Sequence, residues 1–137
     1  MAGVVLIGDA DSWFCRMARH ILAEEGHAVL VAGSDQAHSA IGLDGRTAVA
    51  IADLDSPDDD WPKTIASLRT AFPSLRVVAT AGGGAEDARA RLDEAWEAGA
   101  ALGLAKPYSL LELEGIVVEL CRGDRETKEA GEVCRSH

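Results

Sequence analysis

Five short, near-continuous apolar runs alternate with stretches whose apolar residues recur at helical spacing, and this alternation constrains the fold more than any other feature. The runs are VVLIG at 4–8, AVLVA at 28–32, AVAIAD at 48–53, LRVVAT at 75–80 and ALGLA at 101–105. A strand that is apolar at consecutive positions must be covered on both faces, the condition inside a parallel sheet flanked by helices. The intervening segments supply those helices. Phe14, Met17, Ala18, Ile21 and Leu22 form one stripe, closed by Gly26 as a left-handed cap. A short helix over about 35–41, capped by Ser34, precedes a turn at Gly42 to Gly45. Ile65, Leu68 and Phe72 mark the buried face of the next helix, with Pro62 at its first position and Pro73 as its stop. Ala88, Leu92, Ala95 and Trp96 lie on one side of a helix over 85–98, in which Asp87 and Arg91 stand four apart. Ser109 and Glu112 make a capping box ahead of Leu113, Ile116, Val117 and Leu120. The expectation is an α/β domain over 1–121, a doubly wound five-stranded parallel sheet, followed by a polar, aperiodic tail over 122–137.

A chain of 137 residues fits one domain with a real core. Its 23 acidic residues outnumber 13 basic ones, for a net charge of −10, the opposite of the basic stripe that nucleic-acid backbones require. Cys15, Cys121 and Cys134 contain no CxxC pair, which argues against a disulfide framework or a thiolate zinc site and for a reducing cytoplasm. No basic leader precedes the first apolar run, and no run approaches the ~18 apolar residues of a membrane span. The expected protein is therefore soluble and cytoplasmic, with neither nucleic acid nor membrane as partner. His20, His27, His38 and His137 lack HxxxH or HExxH spacing, so any metal would be bound through oxygen.

Ligands of open parallel sheets bind beyond the carboxyl ends of the strands. Asp53 ends the third run, and Asp55, Ser56, Pro57 and the acids Asp58, Asp59 and Asp60 follow it, reading as a solvated turn. Asp9 and Asp11 follow the first strand, Thr80 ends the fourth and Lys106 follows the fifth, so all four are expected to converge on Asp53. Clustered carboxylates repel one another unless a cation is present, and this set invites a hard divalent ion, Mg²⁺ or Mn²⁺, held by few carboxylates and several waters. Phosphoryl transfer asks a protein mainly for positioning and for charge to spread over the transferred oxygens. The ion, the Lys106 ammonium and the Thr80 hydroxyl would supply these, leaving Asp53 as the nucleophile that forms an aspartyl phosphate.

Over about residues 3–121 the chain resembles the receiver (CheY-like) domain of bacterial two-component response regulators. Asp53 with Pro57 four residues later, Thr80 with Ala81, and Gly99-Ala100 through Lys106, Pro107 and Tyr108 are the matching fragments. The resemblance implies a flavodoxin-like sheet of order 2-1-3-4-5. It implies Asp53 as phosphoacceptor, Thr80, Ala81 and Lys106 as phosphate-binding and switch residues, and Mg²⁺ on Asp9, Asp53 and the Asp55 backbone carbonyl, with Asp11 as a further candidate. It also implies a cis bond between Lys106 and Pro107. The implied donor is a sensor histidine kinase or phosphotransfer protein, and the implied output is docking of a target protein on the face of the fourth helix, fifth strand and fifth helix. Chemistry would be confined to self-catalysed transfer and hydrolysis. With no output domain expected after residue 121, such a chain would act as a single-domain response regulator.

Several residues depart from that pattern. Where the family carries two adjacent acids, this chain reads Gly8-Asp9-Ala10-Asp11. Counting forward to Gly26 makes Asp9 the outer acid, and aligning on the strand makes it the inner one. Gly103 stands where an aromatic switch residue is common, and the stretch from Thr80 to Lys106 is longer than usual. Gly82, Gly83 and Gly84 lack the Lys and Ser or Thr of a P-loop and read as a flexible loop. Two other functions compete: a degenerate receiver used as a constitutive interaction module, and a phosphatase of haloacid-dehalogenase type, whose DxDx(T/S) start Asp53-Leu54-Asp55-Ser56 resembles. The latter class places that motif on its first strand and its acid pair after the lysine, the reverse of the order here.

Overall fold

Each apolar run becomes a strand, and the computed structural model describes residues 3–106 and 110–122. The strands are β1 (Gly3–Ile7), β2 (Ala28–Ala32), β3 (Thr47–Asp53), β4 (Arg76–Ala81) and β5 (Leu102–Ala105). They form one sheet of order β2-β1-β3-β4-β5, parallel throughout, as the alternating pattern and the resemblance predict. The helices are α1 (Trp13–Glu24), α2 (Ala37–Asp44), α3 (Trp61–Ala71), α4 (Ala85–Ala98) and α5 (Leu110–Arg122).

Alternation along the strands sorts side chains into two cores. Val5, Ile7, Ala50, Ala52, Val77 and Ala79 pack with Ile41, Ile65, Leu68, Leu92 and Ala95, contributed by α2, α3 and α4. Val4, Leu6, Val49, Ile51, Val78, Leu102 and Leu104 face Phe14, Ala18, Leu22, Leu113 and Val117 on α1 and α5. β3 lies between β1 and β4 and is buried from Val49 to Asp53, so its terminal carboxylate is delivered to the middle of the sheet edge.

Two elements begin or end elsewhere than the sequence suggests. A single 3₁₀ turn over Ser34–Gln36 precedes α2, which has no side-chain cap and runs through Gly42 to Asp44. Buried Ala37 and Ile41, one helical turn apart, hold it on the sheet, and it stops at Gly45, whose φ of 67° a side chain would disfavour. The helix α3 starts one residue early because Asp60, rather than Trp61, is the cap: its carboxylate accepts the Lys63 N–H at 3.2 Å, which puts Pro62 second. Asp58 accepts the Asp60 N–H and the Thr64 hydroxyl at 2.6 and 2.8 Å. These two acids therefore anchor a helix start, with Asp60 still exposed to solvent. Phe72, half-buried, caps the end of α3 from beyond its last turn.

The Ser109 cap, Tyr108, the Lys106–Pro107 bond and the tail after Arg122 lie outside the described residues. Among the described residues, no helix is long and apolar enough to cross a membrane.

Ile51 is fully buried in the central strand, whereas Leu43 is 89% exposed on α2. Urea unfolding should show Ile51→Ala destabilised by about 2–5 kcal/mol and Leu43→Ala changed by less than about 0.5 kcal/mol. Equal losses at the two positions would contradict this placement of the core.

Candidate functional site

The register of the sheet sets the site. Asp53 pairs with Thr80 across β3 and β4, and Ala81 pairs with Ala105, so Lys106 emerges one residue further along β5. The Lys106 N–H donates to the Ala81 carbonyl at 2.8 Å, fixing the start of its side chain against β4.

Asp53 is a carboxylate only 3% exposed. Its Oδ1 accepts from Lys106 Nζ at 2.8 Å, from the Thr80 hydroxyl at 3.3 Å and from the Asp55 N–H at 3.4 Å. Its Oδ2 faces the Ser56 hydroxyl at 3.4 Å. A buried charge persists only when paired and hydrogen-bonded, and Lys106 supplies the counter-charge. The same ammonium lies 2.9 Å from Asp55 Oδ2 and 4.6 Å from the centre of the Phe14 ring. Burial would lower the Lys106 pKa, but the hydrogen bonds to Asp53 and Asp55 outweigh it and hold the amine above its ordinary value.

Asp55, read from sequence as a solvated acid, turns its carboxylate toward the pocket. Its Oδ1 receives Arg91 Nη2 at 2.8 Å, and the Gly82 N–H reaches both oxygens at 3.2 and 3.1 Å. Partial burial alone would raise its pKa, yet hydrogen bonds from Lys106, Arg91 and Gly82 bring it down to about 2. Arg91 also donates to the carbonyls of Leu54, at 3.0 Å, and Gly82. Its Nε stands 3.5 Å from Asp87 Oδ2, at ion-pair rather than hydrogen-bond distance. The i,i+4 pairing visible in the sequence is thus the lesser of the roles of Arg91.

On the opposite lip, the Ser56 hydroxyl accepts the Asp9 N–H at 2.9 Å, so Asp9 joins the pocket one hydroxyl away from Asp53 Oδ2. Asp9 Oδ1 accepts the Asp11 N–H at 2.9 Å in a local turn, and both residues are exposed. Among the described residues, no three His, Cys, Asp or Glu side chains gather as metal ligands. What remains on this side is an oxygen-only donor set of few carboxylates, which by its chemistry suits a hard divalent cation completed by water.

Gly8 is closely packed at the end of β1. A Cβ on Gly8 would lie 3.3 Å from the Asp53 Cβ and 2.7 Å from the Ser56 hydroxyl. Gly8 therefore stands level with Asp53, Asp9 follows it, and Ser56 fills the space that a side chain on Gly8 would enter. At Gly103 a Cβ would meet Leu92 at 3.2 Å, so α4 has closed onto the position where an aromatic ring was absent from the sequence. The contacts of Ser56 with Asp9 and of Arg91 with Asp55 were not signalled by spacing, because each spans a sequence distance that only the folded sheet closes.

A parallel five-stranded sheet of order 2-1-3-4-5 covered by helices is the fold of receiver domains, and solved structures of that class superpose on this chain. A response regulator receiver domain from Clostridium thermocellum is 20% identical, with 90% of this chain and 97% of that one covered at a TM-score of 0.73. The receiver domain of a Francisella response regulator is 21% identical, with 91% and 100% covered at 0.74. A putative response regulator from Chloroflexus aurantiacus is 24% identical, with 89% and 99% covered at 0.73. No family model and no curated protein sequence matches the chain. The chain has the response-regulator receiver fold.

Because Gly8 has no room for a methyl group, Gly8→Ala should push Ser56 away from Asp53 and lower stability by about 1–3 kcal/mol in urea unfolding. Removing the obstructing hydroxyl should recover part of that loss, so Gly8→Ala with Ser56→Ala should be less destabilised than Gly8→Ala alone. A Gly8→Ala variant as stable as wild type would contradict the close packing.

Proposed function

We propose that the chain is a phosphoryl-accepting signalling switch with Asp53 as phosphoacceptor. The observation that carries this reading is the division of labour on the Asp53 carboxylate: Oδ1 is held by Lys106 and Thr80, while Oδ2 has, among the described residues, the long contact to the Ser56 hydroxyl. Oδ2 is the oxygen free to attack. Its lone pair forms the P–O bond as the P–N bond of a phosphohistidine donor breaks, and the imidazole leaves with that electron pair and takes a proton from solvent. Lys106 and the Thr80 hydroxyl then donate to phosphoryl oxygens, matching the demand of this reaction for charge and position. Ala81, fully buried beside Thr80, keeps that corner small. Attack of water on phosphorus returns the carboxylate and releases inorganic phosphate.

The Asp9 and Asp53 carboxylates and the Asp55 carbonyl would hold a magnesium or manganese ion, which would supply positive charge against the phosphoryl oxygens. Asp11, whose backbone N–H donates to Asp9 Oδ1, stays a further candidate ligand through its exposed carboxylate. The similarity to receiver domains supports a sensor histidine kinase or phosphotransfer protein as donor and a target protein docking on the face of α4, β5 and α5. It also favours a switch over a phosphatase of dehalogenase type.

Incubation with acetyl phosphate and magnesium, followed by peptide mass spectrometry, should place one phosphoryl group on the peptide containing Asp53, and Asp53→Asn should abolish it. A correctly folded wild type that takes no label would overturn phosphoacceptance and leave the constitutive docking module as the better reading.

A further inference from the structure

The Asp55 carboxylate occupies a seat built for an anion. Lys106 Nζ at 2.9 Å, Arg91 Nη2 at 2.8 Å and the Gly82 N–H at 3.1 Å converge on it from the end of β5, from α4 and from the loop between β4 and α4. Gly82 is needed there, because a Cβ would lie 3.2 Å from Asp55 Oδ2. Two cations and a backbone amide on one carboxylate are the donors an oxyanion recruits. Lys106 is shared between this seat and Asp53, so any phosphoryl oxygen that approaches Asp53 must compete with Asp55 for the same ammonium. Asp55 is 35% exposed and has water to swing into, whereas Asp53 is enclosed. Arg91 spans the pocket rim by also holding the carbonyls of Leu54 and Gly82, which ties the seat to α4.

We propose that Asp55 is an internal competitor for the incoming phosphoryl group, that it gates the Lys106 side of the pocket, and that Arg91 is the positioning residue that holds the gate closed from α4. This rests on the phosphoacceptor reading of Asp53. Displacement of Asp55 releases its pull on Arg91, so the event at Asp53 is transmitted to α4 by a salt bridge rather than by an aromatic ring.

The test uses phosphoramidate as donor, whose P–N bond breaks as the P–O bond to Asp53 forms and ammonia departs, at saturating magnesium with mass-spectrometric rates. A gate open about a tenth of the time lowers apparent reactivity about tenfold, so Asp55→Asn should label Asp53 faster by that order. Arg91→Ala should be faster by a smaller factor, and Asp55→Glu, which restores the charge, should revert toward the wild-type rate. A residue that only supports the fold or the metal would slow labelling when removed. Wild type labelled with Asp55→Asn equal or slower would overturn the gate and leave the phosphoacceptor intact. Absence of label in wild type but not in Asp55→Asn would support the gate strongly, and absence in both would overturn the gate together with the phosphoacceptor reading.

Discussion

A single ammonium between two carboxylates organises the pocket. Lys106 Nζ lies 2.8 Å from Asp53 and 2.9 Å from Asp55, and without it two acids two residues apart would face each other at the end of a buried strand. The cost of enclosing Asp53 is large because burial takes its carboxylate out of water. The fold can tolerate a charge there only by bringing a cation to the same strand end, which explains why the register of β4 against β5 matters to the site as much as to the sheet. Arg91 repeats the solution on the outer side, so each carboxylate has a positive partner and neither is left uncompensated.

Much of this was legible in the sequence. Apolar runs alternating with amphipathic helices point to buried parallel strands, and the ends of those runs put Asp53, Thr80 and Lys106 on one edge. The structure brings those three into hydrogen-bonding distance. What was not legible depends on approach in three dimensions. The Asp55 side chain points into the pocket because Gly82 and Arg91 receive it there, and no local pattern encodes a partner 36 residues away. Asp58 and Asp60 looked like solvent-facing charge, since a capping acid differs from a loop acid only in where the helix begins. The start of α2 was misplaced for a related reason: burial of Ala37 and Ile41, not a Ser34 cap, decides it.

The departures from the receiver pattern form a consistent set in the structure. Gly8 leaves space that Ser56 fills, and Ser56 then ties the Asp9 loop to the acceptor strand through one hydroxyl. Trp61 donates its indole N–H to the Ser56 carbonyl at 3.0 Å, so the loop after Asp53 is fixed from both ends. Gly103 admits Leu92, which packs α4 onto β5 where a mobile ring would otherwise need room. The side of the molecule that carries Arg91 is thereby kept close to the sheet, consistent with a polar rather than aromatic connection between pocket and helix.

The direct measure of the shared ammonium is a double-mutant cycle on stability with Asp53→Asn, Lys106→Met and the combination, read by urea unfolding in the presence of a chelator. The pair should couple by about 0.5–3 kcal/mol, with the double variant more stable than the sum of the single losses implies. Strictly additive losses would show that Lys106 and Asp53 do not depend on each other, and the central interaction would be wrong.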